Sequence, residues 1–160
     1  MNINWVGVFL AFHIAAMVFW LGPSLGAWMV LRAGEKRMLI NNDIAWVWRS
    51  FLKLMWWEHG AFIALLISGV GLISTIGYPL STPWLKWKLI LVAGILVPIE
   101  IIDSYFAHYR LPKIYEKNHG LVKNEMASIR RYHAFTRLMI PLFLILIPLI
   151  FYFAIFKPII

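Results

Sequence analysis

His13 lies on a helical stripe with Met17, Trp20 and Ser24. At 100° per residue, Trp20 falls about 20° to one side of it, Ser24 about 20° to the other, and Met17 about 40° away. The stripe runs inside an apolar stretch, Trp5 to Leu31. An imidazole in hydrocarbon finds no water, so it needs a protein partner, a metal or a porphyrin iron. A backbone carbonyl or a neighbour of the Ser24 kind would satisfy it structurally, but at membrane depth a ligand or proton role is the stronger expectation. Gly22, Gly26 and Ala27 beside the stripe leave room for another helix or a flat ring. Haem iron is commonly held by histidine, and bundle cores commonly hold such cofactors.

Lys88, in Trp84-Leu85-Lys86-Trp87-Lys88-Leu89, is the second unusual residue, about one turn inside a third apolar stretch. Its stem allows it to snorkel outward, pair with a porphyrin propionate, or approach a cofactor held by His13. A second polar group comprises Glu58 and His59 at the start of the second stretch, Glu100 and Asp103 in the third, then His108, His133 and Arg137. These carboxylates and imidazoles suit a proton relay, a divalent cation bound through nitrogen and oxygen, or ligands to a second haem. A network of ion pairs with nearby arginines accounts for them equally well. Glu100 and Asp103, an i, i+3 pair well up the third stretch, are the two that most need partners. Upright helices would place His59 and His13 roughly 20 Å apart in depth, too far for two ligands of one iron. His119, in Asn118-His119-Gly120, reads as a solvated loop residue. Glycine-rich phosphate loops, zinc-protease helices and serine nucleophile elbows are absent.

These residues must be positioned by membrane-spanning helices. Of the 160 residues, 62% are hydrophobic. A helix crossing the ~30 Å hydrocarbon core needs ~20 mainly apolar residues. Four segments meet that requirement: about Trp5 to Leu31, Leu54 to Gly77, Trp84 to Ala107 and Leu138 to Phe156. The polar remainder is too small for a second domain, so residues 1–160 read as a single all-α transmembrane domain. The first segment suits a retained span better than a cleaved signal. The chain has no cysteine, which removes disulfides, thiolate ligands, iron–sulfur clusters and thiol catalysis.

A net charge of +8 raises the question of nucleic acid, and the placement of the charges answers it. Arg32, Lys36, Arg37, Arg49 and Lys53 lie between segments one and two; Arg110, Lys113, Lys117, Lys123, Arg130, Arg131 and Arg137 lie between three and four or at the mouth of four. By the positive-inside rule both basic connections are cytoplasmic, and the two termini and the Tyr78 to Pro83 turn are outside. Topology and attraction to anionic headgroups explain the charge without nucleic acid.

The breaker-rich turn Gly77 to Pro83 makes segments two and three antiparallel neighbours. Asn42 or Asp43 can cap a helix whose apolar stripe is Ile44, Val47, Trp48, Phe51, Leu54 and Met55, so the second helix begins before the membrane and runs into it. The third is expected to continue through His108 and Arg110 to Leu111-Pro112, where the residue before proline is pushed out of helical geometry. A fourth helix starts near Asn124 and carries Pro141 and Pro148, which bend it. The resulting architecture is an antiparallel four-helix bundle with two basic cytoplasmic connections.

His13-Ile14, then Trp20-Leu21-Gly22, resembles the first helix of the HemJ family of protoporphyrinogen oxidases and its CopD-like membrane relatives. Trp84-Leu85-Lys86-Trp87-Lys88-Leu89-Ile90-Leu91-Val92 is similar to the opening of that family's third helix, and Arg137 to Pro158, with Pro141 and Lys157-Pro158, to its last. The resemblance implies a functional His13 and Lys88, b-type haem as cofactor, and oxidation of protoporphyrinogen IX with electrons passed onward. Family oxidases tend to carry a histidine late in helix three, where this chain has Ile99-Glu100-Ile101, and a proline early in helix two, where it has Trp57-Glu58-His59-Gly60.

The leading expectation is an inner-membrane, multi-pass redox protein that binds haem b through His13 and oxidises a porphyrinogen or exchanges electrons with quinone. In it Trp20 and Ser24 line the haem, Lys88 ligates it or holds a propionate, His59 serves a second site, and Glu58, Glu100 and Asp103 relay protons. The lipid bilayer is the first partner, and a second copy of the chain is a further candidate. An alternative is copper transport or sensing, with Met17, Met29, Met55 and Met139 as scattered sulfur donors. Another is a non-catalytic subunit of a membrane complex, with Trp46, Trp48, Trp56 and Trp57 at an interface, although interfacial anchoring also explains those residues.

Overall fold

The apolar runs become long helices, and no strand occurs among the described residues, which in this computed structural model are 3–38, 44–115 and 123–158. Four helices are long and apolar enough to cross a membrane: Trp5–Glu35, Trp46–Ile76, Pro83–Ile114 and Ala127–Phe156. At 30 to 32 residues each, they rise about 45–48 Å, longer than the ~30 Å hydrocarbon core. The chain is a multi-pass membrane protein by this measure. It forms two compact units, Met1–Tyr78 and Pro79–Ile160.

The first unit is a hairpin of α1 (Trp5–Met38) and α2 (Ile44–Ile76). Phe9 meets Gly71, His13 meets Ser68, Trp20 meets Phe62, Ser24 meets Glu58, and Val47 lies where a side chain on Gly34 would. The number rises along α1 as it falls along α2, so the two helices run antiparallel. Their seam follows helical spacing: Ala16, Trp20, Ala27 and Leu31 are buried on α1, and Val47, Phe51, Met55, Phe62 and Leu65 on α2,. The opposite faces, with Val18, Phe19, Ile63, Ile67 and Val70, are exposed and apolar, as a lipid-facing surface requires,. The Arg32–Glu35 ion pair, at 2.7 Å, and exposed Arg49 and Lys53 share one end of the hairpin. The proposed caps Asn42 and Asp43 and the loop residue His119 lie outside the described residues.

The second unit opens with a turn in which the Thr82 amide donates to the Pro79 carbonyl at 2.9 Å. Pro83, whose missing N–H is harmless at a helix start, begins α3 (Pro83–Leu91),. A π-helical turn, Val92–Leu96, leads into α4 (Val97–Tyr105), and a second, Phe106–Arg110, into α5 (Pro112–Tyr115). Both wide turns end just before a proline. The Val97 amide reaches back to Val92 and the Leu111 amide to Phe106, five residues rather than four. The helix is interrupted at Leu111 as expected, but the reason given for it is corrected: the residue keeps right-handed helical angles, φ −76° and ψ −39°. The wider turn relieves the clash between a proline ring and the preceding carbonyls that would otherwise end the helix.

The last helix, α6 (Lys123–Phe156), runs through Pro141 and Pro148. Phe106 packs against Tyr132 and Phe135, with ring centroids 5.6 and 6.2 Å apart. At the other end the Lys157 ammonium lies 5.6 Å from the centre of the Trp84 ring. Along this stretch, from Trp84 to Phe106, the residues met fall in number from Lys157 to Tyr132.

Candidate functional site

Two polar pairs interrupt the apolar seam between α1 and α2, and a third lies within α2. The first is His13, half-buried on α1, whose Nδ1 lies 2.9 Å from Ser68 Oγ. Ser68 is 0% exposed, and its hydroxyl donates to the Leu65 carbonyl at 2.9 Å. Next to it, a Cβ on Gly69 would stand 3.3 Å from His13 Cε1. The α2 backbone therefore approaches one edge of the imidazole closely, and any larger residue at 69 would press on the ring.

Two turns along α1, Trp20 is 4% exposed and packs on Phe62, with ring centroids 5.3 Å apart and planes tilted by 44°. Beyond these rings comes the second pair: Ser24 Oγ lies 2.7 Å from both Glu58 Oε1 and the Trp20 carbonyl oxygen, so its single hydrogen is shared between the two contacts,. Pro23 sits inside α1 immediately before this serine. A helical proline removes one backbone hydrogen bond, and a neighbouring serine is a common source of local compensation. Glu58 is only 6% exposed. The Ser24 hydroxyl is therefore what greets its carboxyl across the seam.

The third pair lies within α2. His59 Nδ1 is 2.6 Å from the Met55 carbonyl oxygen. A carbonyl only accepts, so Nδ1 carries a proton there. His59 is nine residues from Ser68 along α2, about 14 Å at 1.5 Å per residue. His13 and His59 thus stand at different levels, with Trp20 and Phe62 between them.

The remaining candidates belong to the second unit. Lys88 is half-buried in α3 between exposed Trp87 and half-buried Leu89. Glu100 is buried on α4, Asp103 is half-buried one turn further on, and His108 sits within the second π-helical turn. His133 adjoins Tyr132, which is 1% exposed.

The seam thus gathers His13, Trp20, Ser24 and Glu58 along its length, and His59 is buried on α2 beside Glu58. Ser68, Gly69 and Phe62 are the residues that a reading of the sequence did not single out. Gly22 and Gly26, expected to admit a helix or a ring, have nothing within 4 Å of where a Cβ would be. The close helix approaches fall instead at Gly34, Gly69 and Gly71.

No three His, Asp or Glu side chains come together as a metal-binding group among the described residues. No protein-family model, curated protein or solved structure matches the chain.

Proposed function

We propose that the chain is an inner-membrane redox protein related to the HemJ and CopD-like group, which binds b-type haem through His13 and either oxidises protoporphyrinogen IX or exchanges electrons with quinone. The observation that carries this reading is an imidazole inside a membrane-spanning helix, hydrogen-bonded through one nitrogen to a fully buried serine on the paired helix. Metal-bound histidines characteristically have the other ring nitrogen held in this way. The donor set fits a porphyrin iron, which asks the protein for one or two ligands rather than a cluster of three.

Bound there, haem would supply one-electron chemistry. His13 would hold the iron, and Trp20 and Ser24 would line the ring. Lys88 would bind a propionate or act as the second ligand. Glu58, Glu100 and Asp103 would carry protons, with Ser24 as the hydrogen-bond partner that orients Glu58. His59, about 14 Å further along α2, would serve a separate site. The four spans would form one antiparallel bundle, with both basic connections in the cytoplasm and both termini outside.

Haem content after His13→Ala tests the reading. Detergent-purified protein should lose its haem on this substitution and regain it with added imidazole. A full haem complement with an unchanged spectrum in His13→Ala would refute the assignment of His13.

A further inference from the structure

We infer that Ser68 is a positioning residue that fixes His13 as the Nδ1–H tautomer and so presents Nε2 as the lone-pair nitrogen. The inference comes from counting protons at one oxygen. A serine hydroxyl has a single hydrogen to donate and two lone pairs to accept with. Ser68 Oγ has two partners, the Leu65 carbonyl oxygen at 2.9 Å and His13 Nδ1 at 2.9 Å. The carbonyl can only accept, so the contact with Leu65 takes the serine proton. His13 Nδ1 must then donate to the serine oxygen. The reverse arrangement, with the serine donating to Nδ1, would leave two oxygens facing each other at 2.9 Å with no proton between them.

Burial makes the choice consequential. Ser68 is 0% exposed, so no water exchanges into this contact to relax it. In an apolar surround a hydrogen bond is electrostatically stronger, and a mismatched polar contact more expensive, than in water. Gly69 adds a steric guide, since a Cβ there would reach 3.3 Å from His13 Cε1. The backbone of α2 lies along the Nδ1–Cε1 edge, which disfavours a ring flip.

The tautomer itself stands independently of haem, whereas what Nε2 binds rests on the proposed haem reading. In that reading Ser68 prepares the iron ligand before any iron arrives. A histidine that donates its second nitrogen to a fixed acceptor is a more basic and better-oriented ligand through the first.

Nitrogen NMR of ¹⁵N-histidine-labelled full-length protein in micelles, without added haem, tests the assignment, with the His13 resonances identified by their loss in His13→Ala. The expected result is a protonated Nδ1 and an unprotonated Nε2 for His13. In Ser68→Ala this preference should be lost. Ser74→Ala, which removes an exposed hydroxyl that donates to Val70 at 3.0 Å, should leave it intact. A His13 protonated on Nε2 alone in the parent protein would overturn the proposal, and so would an unchanged Nδ1–H tautomer in folded Ser68→Ala. If Ser68→Ala does not fold, the parent spectrum alone decides. Haem affinity is the separate arm: loss of the second-nitrogen partner should weaken it on the order of 10–100-fold. Protein that binds no haem but shows the expected tautomer keeps the Ser68 assignment and sinks the haem reading alone.

Discussion

Alanine at position 34 tests whether the α1–α2 register is set by close packing. A Cβ on Gly34 would lie 2.8 and 3.2 Å from the two methyls of Val47 and 3.6 Å from its Cβ. Carbon atoms are comfortable at about 3.5–4.0 Å. The helices would therefore have to part by roughly 0.7 Å, or Val47 turn away. Val47 is buried, and a helical valine has essentially one χ1 well, so neither response is easy. Overpacking of this kind costs about 1–3 kcal/mol, whereas replacing a helical glycine by alanine returns about 1 kcal/mol. Gly34→Ala should thus be destabilising by about 0–2 kcal/mol. Gly26→Ala, with nothing within 4 Å of its Cβ, should stabilise by up to about 1 kcal/mol. The difference between the two variants, about 1–3 kcal/mol, removes the propensity term they share. Equilibrium unfolding in mixed micelles, followed by helical circular dichroism, measures it. A Gly34→Ala protein as stable as Gly26→Ala would show that this approach of the helices is not what holds the hairpin.

The same hairpin yields two further expectations by the same assay. Leu31 is 0% exposed, and Leu31→Ala should cost about 2–5 kcal/mol through lost contacts and a residual cavity. Ser24→Ala removes the hydroxyl that hydrogen-bonds to buried Glu58 and should cost about 1–3 kcal/mol, while Ser74→Ala, on an exposed face, should stay within about 0.5 kcal/mol of the parent.

The four apolar helices were legible because hydrocarbon thickness demands long uninterrupted runs, and the runs are present. The hydropathy windows fell short at the basic ends, where α1 continues past Leu31 to Met38 through residues that are polar but still helical. The early start of α2 and the start of α6 near Asn124 were visible, respectively, in the Val47, Trp48, Phe51 stripe and in Gly120, the breaker that precedes it. The π-helical turns were not anticipated. Pro98 and Pro112 mark strain, but sequence does not say whether a helix ends there or widens. At the candidate site, His13 stood out by its depth alone. Its partner did not, because Ser68 in an apolar run is as easily satisfied by its own helix, and its hydroxyl does bond back to Leu65. The small residues of Ser68-Gly69-Val70-Gly71 were the available signal: they let α2 approach His13 and Phe9. The pairing of Ser24 with Glu58 required the hairpin register, which sequence alone left open.

The reduced-minus-oxidised absorption spectrum of the detergent-purified protein, with haem counted by pyridine extraction, tests the central claim most directly. Sharp reduced bands with about one haem per chain, lost in His13→Ala, are the predicted result. A colourless protein that also takes up no added haem would contradict it.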